Sequence, residues 1–490
     1  MMKRMAVAGP SKLVTGAAGR IVAAGGNVVD AAVVSTLTAM CTEPGVCAPG
    51  GGGFLTIDVP GKSPVTIDGY VAYPGQGFDG EATMQEVRMD YGGGLTTFVG
   101  AGSIAVPGVF AGLELASKMF GRASWRDLME VVAGVVENGF PMGKAARDYL
   151  VEAGELIPAL DETARKALFD GDRLRDVGEM VVYEGLASTL RYIGEHGSEV
   201  FYRGDLGEAI VADLQARGGR LTRLDLSSYQ AIARSPLSLE MRGWKLDVNP
   251  PPAVGGVTVA LALNEIARAQ GAGPGVWANA LVSAFRTRLD ELEAPAGREG
   301  AAVRALARAG LRSPSTISVA VADEDGGAVA GTASAGYGSG VAPTGAGLMM
   351  NNAVGEIELI PGGAGAGVAG ERMMSNMAPT VARRGGDVVA IGTPGADRIT
   401  SALVVTLEWL MSGLNLSEAI EHPRVHPEFG DWGIRVASEP GLRLDAVDYP
   451  IRRFEAPHMY FGGVNGAALE DGDLHGHADS RREGAVALVG

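Results

Sequence analysis

Apolar positions recur at Leu13, Val14, Ala17, Ile21 and Val22, a rhythm that predicts a helix over 11–24, stopped by Gly25-Gly26. Asp30 then reads as the N-cap of a second helix running to about Met40. A Pro/Gly turn follows, and 54–59 reads as a short strand. From 104 to 240 the pattern is mainly helical, with segments at 108–119, 124–138, 187–196 and 205–217. Extended runs fill 237–248, and a helix is expected over 256–269. The texture changes after residue 313. Positions 316–322 alternate, the Asp323–Gly327 stretch turns, and 328–330 continues as a second extended run, which together read as a hairpin. Further β-like runs fall at 348–350 and 387–391. An apolar helix is expected from Asp397 to Met411, closed near Gly413, and another from Ser417 to the His422-Pro423 break. Strands covered by helices predict a layered α/β fold.

Composition narrows this picture. The chain of 490 residues is long enough for a large core, and 46% hydrophobic with 20% charged residues is the balance of a folded soluble protein. Lys+Arg 41 against Asp+Glu 57 leaves a net charge of −16, which repels phosphate backbones and anionic lipid, so neither nucleic acid nor membrane is expected as a partner. No apolar run reaches the eighteen or so residues that span a bilayer, and residues 1–8 lead into no apolar signal segment, so a cytoplasmic location is expected. Cys41 and Cys47 are too few for a disulfide scaffold or a cysteine metal site. Glycine, 74 residues, is about twice its usual share and gathers at 50–53, 92–94, 336–347 and 362–370, which reads as close-packed loops around a site.

Several motifs fail on context. Gly365-x-Gly367-x-x-Gly370 has the dinucleotide spacing, but the proline at 379 leaves no room for the helix that must open there. Gly50 to Gly53 lacks the Lys-Ser/Thr of a phosphate loop, and no Gly-x-Ser-x-Gly elbow occurs. His475-x-His477 has no third ligand nearby and reads as solvated turn histidines. His422 and His426 flank Pro423 and read as structural. No spacing singles out a Ser-His-Asp triad. Thr316, judged alone, is one residue at the start of an alternating strand. The Gly395-Ala396-Asp397 turn before an apolar helix supplies backbone N–H groups able to hold a developing oxyanion, or is a plain helix start capped by Asp397.

At this point an ordered series of motifs emerges. Gly25-Gly26-Asn27-Val28-Val29-Asp30-Ala31-Ala32, Glu43-Pro44 with Gly50-Gly51-Gly52-Gly53-Phe54, Val106-Pro107-Gly108, and Pro251-Pro252-Ala253-Val254-Gly255-Gly256 follow one another. Later come Ser315-Thr316 before the Asp323-Glu324-Asp325-Gly326 turn, Met350-Asn351-Asn352, Ser375-Asn376-Met377, Gly392-Thr393-Pro394-Gly395-Ala396-Asp397-Arg398 and Asp479-Ser480-Arg481-Arg482-Glu483-Gly484. Through nearly its whole length the chain resembles the γ-glutamyltranspeptidase family of N-terminal-nucleophile hydrolases. The last glycine-rich motif is similar to that family's GSPGGSR, with Ala396 for the second glycine and Asp397 for the serine. The family's Thr-His after the nucleophile becomes Ile317-Ser318.

The resemblance implies an αββα sandwich of two stacked antiparallel sheets between helix layers. It implies a precursor cut between Ser315 and Thr316 into a large subunit, 1–315, and a small subunit, 316–490, forming one composite domain. Thr316 is then both nucleophile and, through its freed α-amine, base. Ser334 falls where a second threonine bonds the nucleophile, and Gly395 and Ala396 supply the oxyanion hole. Glu356, Ser375, Asn376 and Arg398 are the substrate-binding candidates. The family's carboxylate-binding arginine is absent from the 68–75 stretch, with Arg88 and Arg372 the other cations in reach. The expected substrate is a small-molecule γ-glutamyl or related amide, with no metal and no cofactor. The alternatives are a member recruited to another acyl amide or to a C–C bond beside a ketone, and a homologue that never matures.

Overall fold

The alternating run after residue 315 forms the hairpin at the centre of the molecule. This computed structural model describes residues 3–89, 95–153, 156, 160–269, 273–292, 316–356, 360, 366–430 and 432–490. Thr316–Asp323 pairs antiparallel with Ala328–Ser334 across the expected turn. The hairpin sits inside a seven-stranded antiparallel sheet, in the order Ile232–Arg234, Val65–Gly69, Gly52–Asp58, Ala328–Ser334, Thr316–Asp323, Met5–Gly9, Ala485–Val489. A second sheet of six strands runs Leu237–Met241, Trp244–Val248, Thr380–Arg384, Asp387–Gly392, Asn465–Glu470, Asp473–Ala478.

Side-chain alternation assigns each face. Ile317, Val319, Val321, Val329 and Ala333 join the core beneath the helices Lys12–Ala23 and Val28–Thr42. Ala320, Ala322, Ala328 and Ala330 point the other way, against Val381, Val388, Ala390, Ala467 and Leu469 of the second sheet. Alanine on the facing strands lets the sheets approach closely. The outer face of the second sheet is covered by Val254–Arg268, Pro274–Thr287 and Arg398–Met411, through Leu263, Leu281, Leu403 and their neighbours. The result is a sandwich with helices outside both sheets, as the resemblance implied.

Several boundaries differ from the sequence reading, each for a local reason. The second helix starts at Val28 and is capped by Asn27; Asp30 is its N3 residue, closing a capping box by accepting from Asn27 N at 2.9 Å. The 416–421 helix is likewise capped by Asn415 with Glu418, and Ser417 lies inside it. Residues 348–350 form no strand, only a bridge from Met350 to Gly50. Asp397 stands at the cap position of its helix but makes no capping bond. His475 and His477 lie on a strand, half-buried, and pair with Glu470 at 2.8 Å and Glu421 at 2.7 Å. Gly365 lies outside the described residues, and 366–379 carry no helix.

The Asp479-to-Gly484 motif is explained by charge burial. Asp479 meets Arg424, and Arg481 meets Glu439 at 2.6 Å, all of them buried, which fastens the C-terminal turn to the small sheet Val425–Gly430, Gly433–Ser438, Ile451–Arg453. Removing one partner of such a network strands a buried charge. Among the described residues no helix is long and apolar enough to cross a membrane.

Candidate active site

At one end of the inter-sheet face the alanines give way to hydroxyls. Thr316 and Ser318 continue the inward row of their strand, and Thr332 and Ser334 that of its partner. The register sets Thr316 opposite Ser334 and Ser318 opposite Thr332. Thr316 is 5% exposed and Ser334 8%, so the patch lies inside the sandwich mouth. Ser334 Oγ accepts from Gly336 N at 3.1 Å. Asn465, on the facing sheet, donates through Nδ2 to Ser318 O at 3.1 Å and Ser318 Oγ at 3.0 Å. Thr332 Oγ1 has no hydrogen-bond partner among the described residues.

The 392–397 loop rises beside this patch. A β-carbon on Gly392 would stand 3.1 Å from Ser318 Cβ and 3.2 Å from Thr332 Oγ1, so the strand end that launches the loop lies against the hydroxyls. Thr393 Oγ1 accepts from Gly463 N at 3.0 Å and donates to Pro394 O at 2.9 Å. Gly395 has φ 133° and Ala396 φ 53°, the left-handed side that suits glycine, so the alanine holds a strained shape costing about 1 kcal/mol. Arg398 N and Ile399 N turn back to Gly395 O and Ala396 O. Gly395 and Ala396 are buried residues, and among the described residues neither N–H donates to a backbone carbonyl. Buried donors of that kind are rare outside sites that receive a ligand.

The other expected residues divide. Glu356 is 2% exposed and sits beside the hydroxyl strand: a β-carbon on Gly336 would fall 2.6 Å from Glu356 Oε2 and 2.3 Å from Asn352 Oδ1. Only a glycine at φ 64° permits that approach. The paired asparagines bind backbone. Asn351 accepts from Ala105 N and donates to Gly50 O at 2.7 Å, while Asn352 Oδ1 accepts from Tyr337 N at 2.7 Å. Ser375 and Asn376 are tied to the start of the Val254–Arg268 helix and to Arg288. Ser375 O accepts from Val254 N and Gly255 N, Ser375 Oγ accepts from Met377 N at 3.2 Å, and Asn376 Oδ1 accepts from Arg288 Nη2.

Arg398 is turned inward at 2% exposure, donating from Nε to Tyr460 O at 3.2 Å and from Nη1 to Asp397. Arg372 is held by Asp68 at 3.1 Å and lies over the Tyr229 ring, and Arg88 is exposed on the Gln85–Met89 strand. Ser315 lies outside the described residues. No group of three or more His, Cys, Asp or Glu is placed to hold a metal among the described residues. The sequence reading missed Ser318, Thr332, Asn465 and Arg288. For the first two a signal existed, since hydroxyls spaced by two on paired strands must share a face.

Comparison with known proteins settles the family. The γ-glutamyltranspeptidase family model matches residues 15–284 and 275–489. The chain belongs to the γ-glutamyltranspeptidase family. As such it is an N-terminal-nucleophile hydrolase. The glutathione hydrolase proenzyme of Pseudomonas aeruginosa is 30% identical over 99% of this chain and 94% of its own length. The acylase ACY 1 proenzyme of Pseudomonas sp. strain V22 is also 30% identical, over 98% of this chain and 92% of its own. In solved structures, the cephalosporin acylase of Bacillus halodurans shares the fold, with a TM-score of 0.82 at 23% identity over 99% of this chain and 96% of that one. Against the family motif, Ala396 explains itself: an alanine keeps the N–H at the cost of strain that a glycine avoids.

Proposed function

We propose that this γ-glutamyltranspeptidase-family chain cuts itself before Thr316 and then uses Thr316 to hydrolyse or transfer a γ-glutamyl or related acyl amide. The observation that carries the reading is Thr316 set opposite Ser334, beside a loop in which, among the described residues, neither the Gly395 nor the Ala396 N–H donates to a backbone carbonyl. Cutting yields 1–315 and 316–490, and the new α-amine, with a pKa near 8, takes the Thr316 hydroxyl proton. Thr316 Oγ attacks the carbonyl, and Gly395 N–H and Ala396 N–H hold the oxyanion. The acyl-enzyme is released to water or to an amine. Glu356 is assigned the substrate's cationic end, with Ser375 and Asn376 as further donors. Arg398 is assigned to the loop that binds the carbonyl. The reading uses no metal and no cofactor, its partners are the two pieces of one precursor and a small molecule, and it places the protein in the cytoplasm, which cell fractionation tests.

Intact-mass analysis of the purified protein tests the cut. Two pieces of about 32 and 18 kDa, the smaller beginning at Thr316, are expected. A small piece starting elsewhere, or an active chain that is whole, sinks the reading. A second substrate class is favoured by one observation: the 68–75 stretch has no arginine, and Arg372 and Arg234 both pair with Asp68. A carboxylate-free acyl group then replaces glutamyl. Relatives named glutathione hydrolase and acylase are equally similar to this chain. γ-Glutamyl-p-nitroanilide against butyryl-p-nitroanilide, which carries no carboxylate, separates the two.

A further inference from the structure

The oxyanion loop departs from the family motif at Asp397, and a carboxylate next to two oxyanion donors is an electrostatic liability that the fold must contain. Asp397 is 34% exposed and contributes nothing to capping its own helix. Its Oδ1 accepts from Arg398 Nη1, and its Oδ2 lies 3.5 Å from His426 Nε2. On the far side of the imidazole, His426 Nδ1 lies 2.8 Å from Ser401 Oγ. His426 and Ser401 are each 2% exposed. The edges of Phe285 and Tyr460, with ring centroids 5.5 and 5.9 Å away, fix the ring from the sides.

Protonation follows from this geometry. Burial holds His426 below its ordinary pKa, against the pull of Asp397, so the ring is neutral at physiological pH. Burial also works against the Asp397 charge, but the Arg398 guanidinium, with a hydrogen bond from His426, outweighs it and keeps the carboxyl well below the usual range. Arg288 and Glu428 complete the charged groups around this pair. A neutral imidazole has one N–H, and an ionised carboxylate can only accept. The proton therefore sits on Nε2, facing Asp397, and Nδ1 accepts from the Ser401 hydroxyl. Residue types of a hydrolytic triad are present, yet Ser401 is enclosed in the helix core and bonded to a ring whose other side is already committed. It is no nucleophile.

We propose that Ser401, His426 and Asp397 form a relay that holds the 395–397 loop in its strained shape, making Asp397 a positioning residue for the two oxyanion donors. The relay runs from the first turn of the Arg398–Met411 helix, through the Val425–Gly430 strand, back to the residue that follows Ala396. Each link fixes the next: Ser401 anchors the imidazole ring, the imidazole and Arg398 hold the carboxylate, and the carboxylate sets the backbone that carries the N–H of Ala396. A positive φ at an alanine persists only where surrounding contacts determine it. The inference rests on Gly395 N–H and Ala396 N–H being the oxyanion donors.

The test compares wild type with Asp397→Asn and Ser401→Ala, measuring kcat and KM per folded, cut molecule with γ-glutamyl-p-nitroanilide and butyryl-p-nitroanilide. Loss of a whole oxyanion donor lowers kcat by about 10²–10³-fold, so a displaced one is expected to lower it by about 10- to 100-fold in Asp397→Asn. Ser401→Ala, a single hydroxyl removed, is expected to lower it by roughly 3- to 10-fold. KM stays within about twofold in both, because the groups act on the transition state. Should Asp397→Asn fail to fold, Ser401→Ala decides. Unchanged kcat in a folded variant, or a fall matched by an equal rise in KM, overturns the relay while leaving the function standing. A wild-type chain that is uncut and silent on both amides sinks the function instead.

Discussion

The two ends of one hairpin face do opposite work. At the turn end Ala320, Ala322, Ala328 and Ala330 pack against the second sheet, and every side chain there is fully buried. At the open end Thr316, Ser318, Thr332 and Ser334 occupy the same rows of the same strands. The alanines are small because two sheets must close on them. The serines are scarcely larger than alanine and the threonines add a methyl, and each of the four brings a polar atom into a buried layer. Ser318 and Ser334 are answered by Asn465 and Gly336 N, while Thr332 Oγ1 is left without a hydrogen-bond partner among the described residues. The packing layer and the hydroxyl layer thus differ by one hydroxyl at each serine, and by a hydroxyl and a methyl at each threonine.

Four substitutions break or sharpen this contrast. Thr316→Ala turns the mouth of the sandwich into more of the packing layer. The expected outcome is a single uncut chain with no amidase activity, read on a denaturing gel and by nitroaniline release; a variant that still splits in two defeats the assignment. Ala330→Leu attacks the other end, and overpacking there is expected to cost about 1–3 kcal/mol in denaturant melts, while molecules that do fold still mature. Ser334→Ala removes the hydroxyl facing Thr316. It is expected to slow turnover by about tenfold, the value of one hydrogen bond, with a melting midpoint close to wild type. Thr332→Val is the mildest change: trading an unpartnered buried hydroxyl for a methyl is expected to leave stability equal or raise it by up to about 1 kcal/mol. A loss of more than that would mean the hydroxyl is satisfied in the working enzyme.

What could be read from the chain followed the range of the forces involved. The hairpin was legible because alternation and turn composition are local, and so were helices such as Trp125–Val136 behind their Ser124 cap. Helix starts were misplaced by a few residues where Asn27 and Asn415 cap: Asp30 is the acidic N3 member of its box, and Ser417 is a cap-type residue that lies inside the first turn. The Met5–Gly9 and Ala485–Val489 strands escaped notice because short runs of alanine and valine carry little period, and they become strands only by pairing with each other and with the hairpin. Thr316, Ser334, Gly395 and Ala396 were reached through motif order. The Asp397 relay was not: Asp397 and Ser401 share the start of one helix, but His426 lies 25 residues beyond Ser401 on a separate strand, and only packing brings the two together.

The order of the seven-stranded sheet carries one more consequence. Met5–Gly9 lies between Thr316–Asp323 and Ala485–Val489, while Ala328–Ser334 borders Gly52–Asp58. A break ahead of Thr316 would therefore leave two polypeptides interleaved like the fingers of clasped hands, each completing the other's ladders. Dilution alone could not part them; separation would demand that both unfold, and neither fragment made alone would find its shape.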